Sequence, residues 1–473
     1  MKIVILGGGT AGWLAAYCIS KSQPNIHNIT VVESSEIGII GAGEGSTGFF
    51  SDVLNGRFFD DRINIEEFVK FCDATNKIGI KFNNWNGDNH SFFTPLDGSP
   101  TGSNINDYIF KYVLHKFGRD NFHIASKIGV DYEIGRNYNV FNAFHFNAHK
   151  VGQFFKNICV ADGITHIDSI VQDVNINSSN GFIQSVKLDR HNDIEADLFI
   201  DCSGFNRVLM KKLNVNWISF KDQLPLDSAM PFLLDYQKHE NIMPWTTSTA
   251  LSAGWMWDIP LLNRRGCGYV YNSQFISKEN AKKEVEMLLG REIAPIKYIN
   301  FDPGMSEVFW KNNVLSLGLA SCFVEPLQAT SIHTTISQLL LFINDFLTPG
   351  IDSTVTPDNE KSYNRIVSKF YKLNLDFVSM HYQGGRTDTP FWRNIQDSSI
   401  VTPYAKEIIN RSKNKILGYH ETPANFGAPA MGLWNWSMAG LGLLDPNVAY
   451  HDLKNSNLYE IAEKQFINFI AAR

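Results

Sequence analysis

The chain has 473 residues, 13% of them aromatic and 19% charged, with a formal net charge of −6. This composition suits a globular protein with a large core, two or three domains by length, and excludes a disordered chain. The negative balance excludes a general nucleic-acid binder, which needs a basic face for phosphates.

In chain order, residues 2–6 form a short apolar strand, and 7–20 turn into a helix through Gly7-x-Gly9-x-x-Gly12. Residues 28–33 make a second strand ending in Glu33, about 20 residues beyond the last glycine of the turn. A strand, a glycine turn, a helix and a strand-ending acid form the parallel βαβ start of a dinucleotide-binding sheet. The glycines permit the tight turn and let a pyrophosphate reach N–H groups at the helix N-terminus, and Glu33 can accept from a ribose. The motif alone leaves FAD and NAD both open.

Residues 185–201 alternate like a hairpin and close on a buried strand at 198–201. Residues 252–260 read Ser-Ala-Gly-Trp-Met-Trp-Asp-Ile-Pro, and Trp255-x-Trp257-x-Ile259-Pro260 is a rare string. In a strand both tryptophans project on one face, and the proline, lacking an N–H, ends the run. Alone, the string reads as a packed apolar wall. A third apolar strand at 314–317 leads through Gly318 to a helix over 331–347. Three glycine-punctuated strand ends, far apart in sequence, indicate one nucleotide-binding sheet interrupted by long insertions. Helical periodicities fill 356–473, with a Gly/Trp-rich stretch at 425–444.

The six cysteines include no Cys-x-x-Cys pair, so neither a metal site nor a disulfide framework is indicated, and the reducing cytoplasm is the natural setting. The apolar opening is too short for a signal peptide. No stretch approaches the roughly 20 apolar residues of a membrane span, so no membrane association is expected. The composition is compatible with a homo-oligomer.

Several strings together resemble the flavin-dependent halogenases, in particular the tryptophan-halogenase group. Gly7-Gly8-Gly9-Thr10-Ala11-Gly12-Trp13 is similar to the family's opening, and Gly41-Ala42-Gly43-Glu44 to its turn near the flavin. His145-Phe146-Asn147-Ala148-His149, Gly268-Tyr269-Val270-Tyr271 and 386–392 follow in family order. Asp201-Cys202-Ser203-Gly204 stands where related flavin monooxygenases carry an Asp-Gly element, and 318–327 resembles the flavin-flanking loop. The likeness runs to 439–443 and so covers almost the whole chain.

The resemblance implies an α/β fold: a Rossmann-like FAD-binding core of the flavin monooxygenase type with a mainly helical substrate-binding cover. The FAD module is expected over 1–350, its sheet non-contiguous around 1–85, 150–210 and 300–350 with substrate-pocket insertions, and the helical cover over 351–473. Gly7, Gly9, Thr10, Ala11, Gly12, Glu33, Gly43, Glu44, Asp201 and Gly318 are the implied cofactor residues. The implied chemistry takes FADH2 from a separate flavin reductase, with O2 and a halide ion, and passes hypohalous acid through a tunnel to a lysine beside a small aromatic substrate. Lys77-Ile78-Gly79-Ile80-Lys81-Phe82-Asn83-Asn84-Trp85 resembles the lysine motif, and Lys77 takes the catalytic place. In a strand, 77 and 81 would share a face, so the motif alone separates them. Trp255, Trp257, Ile259 and Pro260 would line the tunnel, and Phe92 and Trp434 the substrate region.

The chain also departs from the pattern. A glutamate that helps at the substrate becomes Gln328, which can orient a hydrogen bond but cannot act as a base near neutral pH. The Thr-Gly backbone tied to halide binding becomes Thr330-Ser331, where serine would restrict a positive φ. The run that grips an amino acid's charged ends is missing, and buried charges need partners. An electron-rich aromatic is therefore expected rather than free tryptophan. The alternatives are a flavin monooxygenase that hydroxylates or epoxidises a small aromatic, and a non-catalytic flavin-binding relic.

Overall fold

A computed structural model describes residues 1–26, 28–38, 44–59, 61–96, 107–118, 143–397, 400–418, 421 and 429–471. Internal contacts divide the chain into two units, each woven from three segments. The first takes 1–74, 146–220 and 302–372; the second takes 75–145, 221–301 and 373–473. The expected boundary at 350/351 falls inside the last segment of the first unit.

The first unit is built on a six-stranded sheet in the order Trp310–Lys311, Val314–Ser316, Leu198–Asp201, Lys2–Leu6, Asn28–Glu33, Thr165–Asp168. All neighbours are parallel except the first pair. Lys2–Leu6 lies at the centre, Ile3 pairing with Leu198 on one side and Ile29 on the other. Strands covered on both faces read as near-continuous apolar runs, as Ile-Val-Ile-Leu does here. The helix Thr10–Ser22 makes the crossover to Asn28–Glu33, and its buried run Gly12–Ile19 packs on Ala148–Ala161 through Tyr17 and Phe155, whose rings lie 5.1 Å apart. Asn147 caps the second helix, its side chain accepting from the His149 N–H. The hairpin expected at 185–201 appears as Ile183–Leu188 paired antiparallel with Ile194–Glu195, and Val171–Ile176 pairs antiparallel on the other side of Ile183–Leu188.

The second unit holds a seven-stranded sheet in the order Ile299–Asn300, Ser228–Leu234, Arg265–Tyr271, Gly254–Pro260, Trp245–Leu251, Gly79–Asn83, Ser91–Pro95. It is antiparallel except where Trp245–Leu251 meets Gly79–Asn83. All its strands but Gly79–Asn83 lie in the expected pocket insertions, and the expected helical cover, 351–473, holds helices and no strand among its described residues. Met230, Phe232, Met256, Tyr269 and Tyr271 pack with Ala281 and Val285 of the helix Lys278–Leu289. The helices Asp107–Phe117, Pro446–Asn455 and Tyr459–Ala471 pack together, with Tyr112 donating to Glu463 at 2.9 Å and Lys111 paired with Asp452 at 3.4 Å. No helix among the described residues is long and apolar enough to cross a membrane.

Candidate active site

In the first unit, Gly7 has φ +113°, and a Cβ there would overlap the Cys202 carbonyl. A Cβ at Gly12 would overlap the Gly7 carbonyl, and one at Gly8 the Glu33 carboxylate. Gly9 differs: among the described residues a Cβ there meets nothing within 4 Å. Gly9 is also the N-cap of Thr10–Ser22, with no side-chain capping bond and no acid in the first turn. The leading N–H groups and the positive end of the helix dipole therefore face open space beside an unobstructed backbone, which fits a dinucleotide pyrophosphate.

Thr10 turns its hydroxyl onto the Ala148 carbonyl at 3.4 Å. Ala11 lies against the loop that opens with Gly318, which has φ +62°, and a Cβ at 318 would stand 3.0 Å from that of Ala11. Glu33 accepts from Lys156 at 2.7 Å and lies 3.0 Å from His166 Nε2. Its carboxylate thus sits at the turn already held by a cation. Gly43 lies outside the described residues. The Glu44 carboxyl is withdrawn from water, which pushes its pKa up to about 7, although the residue as a whole is partly exposed.

The Asp201 carboxylate accepts from four donors of its own chain. One oxygen accepts from the Ser203 N–H and hydroxyl at 3.1 and 2.5 Å, the other from the N–H groups of Leu209 and Met210 at 2.8 and 3.0 Å. It caps the helix Val208–Lys212 and shapes the turn whose Cys202 carbonyl abuts Gly7. Asp201→Ala strands two buried N–H groups and is expected to cost about 3 kcal/mol, read as a lower urea midpoint.

The loop after Gly318 is bent at three non-glycine residues with positive φ: Glu325 (69°), Gln328 (63°) and Ala329 (56°). Left-handed backbone at such residues is costly and marks a conformation imposed by its surroundings. Ala329 is the N-cap of the helix Thr330–Asp345, which again lacks a side-chain cap and any acid in its first turn. The Thr330 hydroxyl lies 3.4 Å from the Glu325 and Leu327 carbonyls, so the helix offers backbone N–H groups at this end. Ser331 is helical, and the expected restriction on positive φ does not arise at that position.

In the second unit, Lys77 lies between the strands Thr75–Asn76 and Gly79–Asn83 rather than within one. Its side chain is wholly enclosed, whereas Lys81 is half-buried. Enclosure penalises the ammonium and lowers the Lys77 pKa from 10.5 to about 7. Beside it His145 is completely buried, its pKa held well below the usual value first by burial and then by the charge of Lys77. His145 Nδ1 lies 3.2 Å from Thr75 Oγ1, and Nε2 lies 2.9 Å from Thr246 Oγ1. The Thr75 hydroxyl also donates to the Pro260 carbonyl at 2.6 Å, tying the Lys77 segment to the end of the double-tryptophan strand.

Trp255 and Trp257 share one face of Gly254–Pro260, with ring centroids 6.4 Å apart, while Met256 points into the opposite cluster. Period-two alternation holds as expected. Trp255 is buried, and its Nε1 meets no hydrogen-bond partner among the described residues. The Trp257 ring covers Gly268, where a Cβ would overlap it. Ile259 is buried at the same strand end. Phe92 stacks on Phe82 at 4.8 Å, and the close approach of Gly440 closes its other side. It is packed in the core rather than offered as an open substrate wall. Trp434 is buried between Phe377 and Tyr404. His381, which no motif singles out, is buried beside Phe82 and Trp85 with its pKa lowered to about 4 by burial.

A parallel sheet, a glycine turn at its central strand and an uncapped helix above it define a dinucleotide-binding oxidoreductase, and an enclosed lysine whose segment is tied to the end of the double-tryptophan strand narrows that class. The chain belongs to the tryptophan halogenase family, whose model matches residues 2–446. It is 33% identical over 447 residues to 7-chloro-L-tryptophan 6-halogenase KtzR of Kutzneria sp. (strain 744), covering 86% of this chain and 84% of that one. It is 32% identical over 502 residues to tryptophan 6-halogenase SttH of Streptomyces toxytricini, covering 95% and 92%. The crystal structure of SttH superposes with a TM-score of 0.86 at 28% identity, covering 99% of this chain and 95% of that one. Xcc4156, a flavin-dependent halogenase from Xanthomonas campestris, gives 0.83 at 28% identity, covering 100% and 96%. The protein is a flavin-dependent halogenase that acts on an aromatic substrate, with FADH2 from a separate flavin reductase, O2 and a halide.

Proposed function

We propose that Lys77 takes up the oxidised halogen and delivers it to a small electron-rich aromatic other than free tryptophan. The observation that carries this reading is its complete enclosure with an amine that is half neutral near pH 7. Bound reduced FAD, with O2, supplies the oxidising equivalents that turn halide into hypohalous acid. A neutral Lys77 amine can attack the halogen of that acid, forming an N–halogen bond and releasing water once its proton joins the departing hydroxide. The ring then takes the halogen, the electron pair of the broken N–halogen bond returns to nitrogen, and the ring loses a proton.

Gly7, Gly9, Gly12 and Gly318 would cradle FAD at the helix N-terminus, with Thr10 and Ala11 opening the helix and Glu33 and Glu44 nearby. N–H groups at the start of Thr330–Asp345, at Thr330 and Ser331, would meet the halide. Trp255, Trp257, Ile259 and Pro260 would line the way to Lys77, with Trp434 in the surrounding aromatic shell. The protein works in the cytoplasm, a compartment consistent with its cysteines all being free. The test incubates protein, FAD, a reductase, NADH and each halide with an aromatic panel and reads products by mass. Brominated or iodinated phenols or indoles are expected, and tryptophan as the best substrate would overturn the assignment.

Gln328 cannot take the ring proton, so the substrate must form and lose its cationic intermediate without a carboxylate there. Gln328→Glu is expected to raise turnover of weakly activated rings several-fold and to leave phenols within about twofold. Paired steady-state rates check this. Chloride is expected to be the poorest halide, because bromide and iodide are more easily oxidised.

A further inference from the structure

We propose that His145 is a positioning residue for halogen transfer: a neutral imidazole clamped between Thr75 and Thr246 that fixes the Lys77 segment against the strand end at Pro260. This rests on Lys77 being the halogen carrier. The Thr75 hydroxyl has one hydrogen, and the Pro260 carbonyl 2.6 Å away can only accept it. Thr75 Oγ1 must therefore accept from His145, which places the ring proton on Nδ1. In the neutral ring Nε2 is then an acceptor, and Thr246 donates to it. The chain Thr246→His145→Thr75→Pro260 runs in one direction, and each member fixes the next.

The clamp has backbone support on both sides of the lysine. Thr75 pairs with His145 across an antiparallel bridge, the Lys77 N–H donates to the Ala143 carbonyl at 2.9 Å, and the Ile78 N–H donates to the Pro244 carbonyl at 2.8 Å. Lys77 is thus stapled between 143–145 and 244–246, and His145 is the side chain that joins the two. A buried, fully satisfied polar relay specifies one geometry, because any half-made alternative leaves a group unpaired. Transfer to a ring tolerates little misplacement of the reacting nitrogen.

Thr246→Val keeps the side-chain shape and removes the donor to Nε2, whereas Thr246→Ser keeps the donor. With reductase, FAD, NADH and bromide, Thr246→Val is expected to lower brominated product per peroxide released at least tenfold, with FAD binding unchanged. Thr246→Ser is expected to stay within twofold of the parent. His145→Leu should fall with Thr246→Val, and the Val/Ser pair decides the matter if that variant does not fold. Lys77→Ala is run beside them. If it is inactive while Thr246→Val matches the parent, or if Ser is as impaired as Val, the positioning role of His145 is overturned. If Lys77→Ala itself still yields product, the halogen-carrier reading fails first.

Discussion

Lys77→Ala is expected to abolish halogenated product while FAD binding and peroxide release continue. Lys81→Ala, at a half-buried position on the adjoining strand, should stay within a few-fold of the parent. The buried amine adds a second expectation. The unfolded chain's lysine titrates near 10.4, and the folded one at about 7. Below about 7 both states hold the proton, and the folded state bears the full cost of an enclosed ammonium. Between these values the unfolded state binds more protons, so stability rises with pH, and above both the cost is gone. Lys77→Met removes this term. It should therefore be more stable than the parent by about 3–5 kcal/mol at pH 6, with the gain shrinking towards zero near pH 10. Denaturant melts across that range check it, and equal stability at every pH would contradict the depressed value. Product formed per peroxide released should rise with pH through about 7, as the neutral amine that attacks the halogen becomes populated.

Two glycines in one motif should fail in different ways. Gly9→Val is expected to fold normally and lose FAD, since among the described residues no atom beyond its chain neighbours lies within 4 Å of the new Cβ and a bound ligand would meet it. Gly12→Ala drives its Cβ into the Gly7 carbonyl and should destabilise the unit by several kcal/mol, with flavin loss as a consequence. Flavin fluorescence beside a thermal melt separates the two. A Gly9→Val protein that keeps parental FAD affinity would show that the pyrophosphate does not lie there.

The local parts of this fold were legible because periodicity and turn chemistry encode them. Strands 2–6, 28–33 and 198–201 fall where their apolar runs predict, and 314–317 ends one residue early. The first helix starts at Thr10 rather than Gly7 because Gly7 takes a positive φ that no helix contains. Lys77 was legible only through the motif around it; its spacing from Lys81 suggested a shared strand face, and the chain instead passes from one sheet to another between Asn76 and Gly79 and encloses the first lysine alone. His145 sat inside a recognised string, but its partners are 70 and 101 residues away, and nothing local marks a histidine held by such distant threonines. The bends at Glu325, Gln328 and Ala329 were invisible for a different reason, since side-chain chemistry there disfavours the backbone that the surroundings impose. Asp201 and Phe92 read as site residues because they stand beside recognisable strings, yet their neighbours use them for capping and packing.

The central place of Lys2–Leu6 has a consequence for how the chain is made. Its two partners begin at Asn28 and Leu198, and the next strand out begins at Val314. As the ribosome releases the chain, this apolar strand emerges before its partners and can cover only one edge early. The other edge stays unpaired until residue 201 is free, and the sheet remains short of a strand until 316. At ordinary synthesis speeds of about 5–20 residues per second, that second edge waits some ten to forty seconds for its partner. Nascent chains arrested between residues 40 and 190 should therefore aggregate or engage chaperones, and those arrested well beyond 316 should not.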